Sequence, residues 1–168
     1  MPKIIENLRD RLLLEAKQQL EQGGYEAVTI RSIASSCGVG VGTVYNYFPS
    51  KEALIATYLL EDWNRCVETI QSTADCAETP EPVLRSIYGE LIGFAGRNEN
   101  IFRNEGAAHA FVGSFSHYHG MLRSQLAAPL EKFCRDDFLA QFVAESLLTW
   151  SMAGKSLEEI YDILKKLF

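Results

Sequence analysis

The sequence predicts an all-α protein, on three grounds. Apolar residues recur every three or four positions along most of the chain, the spacing of a helix face rather than of a strand. The intervals between these runs carry helix starts and stops, among them Gly23-Gly24, Gly38, Pro49-Ser50, Thr79-Pro80, Gly154 and Ser156. Between Val28 and Leu54 such signals lie close enough together to fold two short helices about a tight corner.

The first helix is predicted from about Lys3 to Gln22. Ile5, Leu8, Leu12, Ala16 and Leu20 form one stripe along it, and the glycine pair ends it. Tyr25 and Val28 lead to Thr29, a good N-cap, and Ile30, Ile33 and Ala34 give the next helix one buried face as far as Cys37. Gly38 can take the left-handed conformation that closes a helix, and Val39 adds an apolar plug. A third helix starts near Gly40. Its Val44 and Phe48 fall four apart and turn inwards, which leaves Gly42, Thr43, Tyr45, Asn46 and Tyr47 outside. Pro49 breaks that helix and Ser50 caps the next, which begins Lys51-Glu52-Ala53-Leu54.

Two cations break the ordinary helix rule. Arg31 and Lys51 each occupy a first helical turn, where the helix dipole presents positive charge and a carboxylate is preferred. An external anion resolves the conflict, because a phosphate at either helix start would accept backbone N–H groups and pair with the side chain. Either residue alone reads as solvated charge. Together, flanking one helix-turn-helix, they point to DNA.

The fourth helix runs roughly from Lys51 to Thr73, with Leu54, Tyr58, Leu59, Trp63, Cys66, Val67 and Ile70 as a broad apolar stripe. Residues 74–82 read as a loop in which Thr79 caps and Pro80 opens a helix carrying Leu84, Ile87, Tyr88, Leu91, Ile92 and Phe94. Gly93 and Gly96 would let a neighbouring element come close. Asn98 to Gly106 is polar, and Tyr118 through Phe133 reads as helix, kinked or ended by Pro129. Asp136-Asp137 start a helix that is apolar on more than one side up to Gly154. Ser156-Leu157-Glu158-Glu159 has capping-box spacing and precedes Ile160, Ile163, Leu164 and Leu167. A helix apolar on two faces needs two partners. A homodimer interface is therefore expected on these last two helices, about 137–153 and 156–167.

At 168 residues the chain can bury a real core, as one compact domain or as a small one and a larger. The net charge of -6 is unusual for a DNA binder, but it is unevenly spread. Residues 1–51 hold six Lys/Arg against five Asp/Glu, and the remainder ten against seventeen. Long-range attraction to DNA is therefore modest, and binding must rely on local contacts made by two heads together. No signal peptide precedes the first amphipathic run, so the cytoplasm is the default location. The charge-free run from Gly106 to Leu122 is too broken by Gly, Ser and His to span a membrane. Cys37, Cys66, Cys76 and Cys134 show no metal or disulfide spacing. His117 and His119 would point to opposite sides of a helix, and with no carboxylate partner at ligand spacing they carry no zinc signature. No phosphate loop or nucleophile elbow occurs, so neither an enzyme nor a bound cofactor is expected.

Thr29-x-Arg31, Ile33-Ala34, Gly38-Val39, Gly42-Thr43-Val44-Tyr45-x-Tyr47-Phe48 and Ser50-Lys51-Glu52-x-Leu54 closely resemble the DNA-binding segment of the TetR family of bacterial transcriptional regulators. The resemblance implies a DNA-binding domain of three helices over 1–50, and a larger helical domain over 51–168 for effector binding and dimerisation. It implies a small-molecule-responsive regulator, most simply a repressor, that binds a near-palindromic double-stranded DNA operator as a homodimer. Thr29, Arg31, Tyr47 and Lys51 then contact phosphates, Thr43, Tyr45 and Asn46 approach bases or backbone, and Gly42 lets the helix start lie close to DNA. An effector pocket is also implied. Phe94, Phe102, His109, Phe115 and Tyr118 have the mixed aromatic and polar composition that small-molecule pockets favour, although a dry core has it too. The rival reading is a dimeric ligand-sensing module that acts through a protein partner.

Overall fold

The computed structural model describes residues 7–107 and 115–168, apart from the side chains of 115–117. Every regular element among the described residues is helical. In order they are α1 (Leu8–Ala27), α2 (Ile30–Cys37), α3 (Val41–Tyr47), α4 (Lys51–Cys76), α5 (Pro80–Arg97), the single turn α6 (Glu99–Phe102), α7 (Phe115–Ala127), a 3-10 segment (Ala128–Phe133), α8 (Asp137–Met152) and α9 (Leu157–Leu164). The all-α class stands. No helix among the described residues is long and apolar enough to cross a membrane.

The described residues pack as two compact units. The first holds residues 7–62 and 98–107, so the boundary placed between 50 and 51 from the sequence falls inside it. Leu12, Ala16, Val28, Ile33, Val44, Leu54 and Ile55 form a core closed to solvent. α1 leaves helical geometry at Gly24, whose φ of 72° and ψ of -172° suit glycine, at the place where the glycine pair predicts a stop. Thr29 caps α2, its hydroxyl accepting from the Ser32 N–H at 3.0 Å, while the Ser32 hydroxyl donates to Gln19 Oε1 of α1 at 2.7 Å. Gly38 closes α2 at φ 67°, and the Val39 N–H returns to the Ala34 carbonyl at 2.9 Å. Arg11 Nη2 donates to the Cys37 carbonyl at 3.2 Å and fixes this corner against α1.

The polar stretch 98–107 joins the same unit. Two of its anchors are apolar: Ile101 and Ala107 enter the core at 3% and 1% exposure. Asn98 Nδ2 donates to the buried Asp62 Oδ2 at 2.9 Å.

The second unit comprises residues 63–97 and 115–168, around a core that includes Trp63, Ile70, Leu84, Ile87, Leu126, Leu130, Val143 and Leu147. Trp63 satisfies its indole N–H on Gln125 Oε1 at 2.7 Å. Lys132 Nζ donates to the carbonyls of Ala74 and Ala77, covering the C-terminal end of α4 with a cation. The helix expected through Phe133 ends as an α-helix at Ala127, because Pro129 has no N–H to continue the ladder, and the chain goes on as the 3-10 segment. Among the described residues no neighbouring element approaches Gly93 or Gly96 closely: a Cβ on Gly96 would meet nothing within 4 Å, and one on Gly93 would meet Arg97 Nη1 of the same helix at 3.0 Å.

α8 and α9 begin as their caps predict. The Asp136 carboxylate accepts from the Leu139 N–H at 2.8 Å, and Ser156 with Glu159 completes a capping box. Both helices are apolar on two sides. Val143, Leu147, Ile160 and Leu164 are buried, whereas Phe138 and Ile163 are 78% and 65% exposed and Phe142, Trp150 and Leu167 are exposed with them.

Candidate nucleic-acid interface

Seven residues are too few for a helix to hold itself in water, so α3 depends on what anchors it. Val44 and Phe48 do this, at 0% and 3% exposure, each contributing about 1.5–3 kcal/mol by burial. With those two inside, the opposite side of α3 is fixed in space and faces water. Gly42, Tyr45, Asn46 and Tyr47 are exposed there and Thr43 is half-buried, the orientation the four-residue spacing predicts. Tyr45 and Tyr47 keep 51% and 46% of their surface. Large aromatics so exposed on a rigidly anchored helix offer both stacking area and a hydroxyl to a partner. A Cβ added at Gly42 would meet nothing within 4 Å, so the fold itself has no need of glycine at that position.

Beside α3 lies an open cleft of about 640 Å³, bounded by the starts of α2 and α4 and the end of α1. Thr29, Arg31, Tyr45 and Lys51 line it, together with Glu26, Val41, Pro49, Ser50 and Glu52. Four of the residues singled out from the sequence thus share one concavity. Arg31 is exposed at its edge. Lys51 is half-buried, with Nζ 3.8 Å from the centroid of the Tyr25 ring. The cation that looked misplaced by helix rules is therefore answered in part within the protein, by an aromatic face. Burial lowers the proton affinity of Lys51, while Glu26 and Glu52 act to raise it. Glu52 takes the acidic role that a helix start favours: its own backbone N–H and then the Ser50 hydroxyl hold its carboxyl below the usual carboxylate range. Burial, followed by Glu52 and Glu26, raises the Tyr25 phenol, so it stays protonated.

Glu26 goes unmarked by the sequence, and Tyr25 and Glu52 are read there as a core residue and a motif residue rather than as part of this site. Tyr25 was visible as a core residue but not as a platform for Lys51, because nothing in the order of residues shows that the turn after Gly24 folds back onto the start of α4.

The described effector candidates are divided between the two units. Phe94 packs edge-on against Trp63 in the second unit, ring centroids 5.3 Å apart and planes at 70°, as a core aromatic does. Tyr118 is exposed on α7, and Phe102 is 51% exposed in the first unit. His109 and the side chain of Phe115 lie outside the described residues, as do Phe111 and the side chain of His117. His119 Nε2 stands 3.4 Å from Glu145 Oε1, a carboxylate neighbour that spacing could not reveal.

Residues 12–58 match the family model of bacterial regulatory proteins of the TetR family, a span that takes in α2, α3 and the cleft. Over this segment the chain is similar to the TetR family. Among curated TetR-family relatives, the HTH-type transcriptional repressor KstR of Mycobacterium tuberculosis is 33% identical over 104 residues, 62% of this chain and 47% of its own length. KstR of Mycolicibacterium smegmatis is 35% identical over the same length, 50% of its own. The HTH-type transcriptional regulator UidR of Escherichia coli is 36% identical over 59 residues, 35% of this chain and 30% of UidR. The chain spans about half the length of the KstR sequences it matches. Among solved structures, a Streptomyces coelicolor protein described as a transcriptional regulator superposes with a TM-score of 0.73 at 14% identity, covering 96% of this chain and 98% of its own. Thermus thermophilus FadR, a TetR-family repressor solved in complex with lauroyl-CoA, gives 0.61 at 20% identity over 95% and 92%. At such identities these two likenesses speak for the fold.

Proposed function

We propose that this protein is a DNA-binding transcriptional repressor of the TetR family that engages a near-palindromic operator as a homodimer and releases it when a small molecule binds. The observation that carries the reading is the outward face of α3, exposed tyrosines beside a glycine the fold does not require, next to a cleft holding Arg31 and Lys51. α2 then crosses the backbone and α3 enters the major groove. Thr29, Arg31, Tyr47 and Lys51 take phosphates, and Thr43, Tyr45 and Asn46 approach bases or backbone. Gly42 admits the backbone of the duplex. Lys51 approaches its phosphate with its ammonium already held over the Tyr25 ring, which lowers the ordering cost of the contact.

The outer faces of α8 and α9 are the dimer surface in this reading. Phe138 and Phe142, four apart on α8, form an apolar stripe, Ile163 is an exposed apolar residue of α9 with Leu167 just past its end, and a two-fold axis pairs this apolar surface with a copy of itself. An effector of unassigned chemistry enters the second unit, in the neighbourhood of Phe94 and Tyr118, and changes the separation of the two α3 helices. The ligand of FadR supports a small-molecule role of this kind without naming the molecule.

Selection of bound fragments from the source genome tests the proposal. Recovery of an inverted repeat whose half-sites are centred roughly 34–36 Å apart, or a modest departure from that, is the expected result. Fragments without any shared sequence would overturn it.

A further inference from the structure

The cleft that carries Arg31 and Lys51 also carries two carboxylates, Glu52 at the start of α4 and Glu26, distant from it in sequence, of which only Glu26 has no role in capping a helix. Glu26 is exposed and lines the cleft, at the end of the turn that follows Gly24. A residue expected to repel phosphate should be absent from a phosphate site, or turned away from it. Instead, it is held. Asn104, in the stretch 98–107 that packs on the first unit, donates from Nδ2 to Glu26 Oε1 at 3.2 Å and accepts the Ala107 N–H on Oδ1 at 3.0 Å. One amide thus uses its donor on Glu26 and its acceptor on its own turn, a division that neither Asp nor a shorter residue can make. Gly106 fits the same contact. A Cβ there would stand 3.3 Å from Glu26 Oε1 and 3.1 Å from Asn104 Oδ1, so a side chain at 106 would press both oxygens aside by a few tenths of an ångström.

Resting on the DNA-binding reading above, we propose that Glu26 is an acidic governor of the phosphate cleft, stationed by Asn104, which holds the affinity for duplex of any sequence below what Arg31 and Lys51 alone would give. Phosphate attraction is blind to sequence and supplies most of non-specific binding. A fixed negative charge in the cleft reduces that term equally on every sequence, while contacts to base edges are untouched. The regulator then spends less time on the rest of the genome.

Glu26→Gln removes the charge and keeps an acceptor for Asn104. Binding is read by fluorescence anisotropy at about 50 mM salt on two probes, a random-sequence duplex and a fragment recovered by the genomic selection. Glu26→Gln is expected to bind both roughly three- to tenfold more tightly than wild type, by the same factor, the effect fading as salt is raised. Asn104→Asp keeps the acceptor for Ala107 and adds a charge, and should bind both more weakly. Glu26→Gln with Asn104→Asp has the wild-type net charge and can re-form the hydrogen bond with donor and acceptor exchanged. Moving the charge off the cleft wall should place it above wild type and below Glu26→Gln. Glu158→Gln, exposed on the second unit, controls for net charge and should change nothing beyond twofold.

Equal affinity of Glu26→Gln and wild type, a gain on one probe alone, or an equal gain from Glu158→Gln overturns the governor while leaving the DNA-binding reading intact. Failure of the wild type to bind either duplex overturns both.

Discussion

Gly42 is the residue whose two roles separate most cleanly. In the free protein its neighbourhood is empty, so Gly42→Ala should stabilise α3 by about 0.5 kcal/mol or slightly more, through lost backbone freedom in the unfolded chain. On DNA the added methyl meets the duplex, and affinity should fall roughly tenfold, the cost of overpacking a close contact. Thermal melting and anisotropy on one preparation check both signs; a variant less stable than wild type, or one that binds equally well, contradicts the assignment. Thiol chemistry gives a second check at this scale. Burial pushes the Cys66 thiol up to about 11, with Glu90 adding to the shift and Arg97 opposing it, whereas Cys76 is exposed. At neutral pH iodoacetamide should therefore label Cys76 well before Cys66, as followed by peptide mass spectrometry. Of the residues lining the cleft, the sequence made Thr29, Arg31, Tyr45 and Lys51 readable, because caps, helix-turn charge and periodicity are local properties. Tyr25 beneath Lys51 and Asn104 against Glu26 were not readable, because each depends on segments far apart in the chain meeting in space.

Among the elements, the helices with strong punctuation were legible in the sequence and the others were not. Thr29, Gly38, Ser50, Asp136 and Ser156 each mark a boundary found in the structure. By contrast, nothing in the polar stretch 98–107 advertised that Ile101 and Ala107 are core residues of the first unit, since two apolar positions define no period. Likewise Pro129 showed that a helix must yield near it, though not that the chain would tighten into a 3-10 segment instead of leaving helical geometry. The Ser156 capping box permits a direct test of what α9 owes to its start. Ser156→Ala should cost about 1 kcal/mol in chemical denaturation, the value of a lost N-cap. No change in the midpoint would mean that packing of Ile160 and Leu164 alone holds the helix. The apolar surface on α8 and α9 makes a different prediction: Ile163→Asp should leave the fold melting near the wild-type temperature, since the side chain is 65% exposed, and yield a monomer in sedimentation velocity. A wild type that is itself monomeric at micromolar concentration would refute that surface.

For the whole molecule, the charge distribution sets how DNA can be bound. A net charge of -6 with its acidity outside residues 1–51 gives little long-range steering, so under the proposed function tight binding comes from two modest heads acting at once. In that reading dimer and DNA affinity are linked, and a variant that loses the dimer is expected to lose the operator although its cleft is unchanged. Under the proposed function the outer face of α3 and the cleft beside it receive a duplex. The most direct measurement titrates an operator fragment with wild type, Tyr45→Ala and Lys51→Ala. Both variants should bind at least roughly tenfold more weakly, Lys51→Ala with a shallower salt dependence because a phosphate contact is gone, and Tyr45→Ala should melt within about 0.5 kcal/mol of wild type. Undiminished affinity in both variants, each folded as wild type, would contradict the claim.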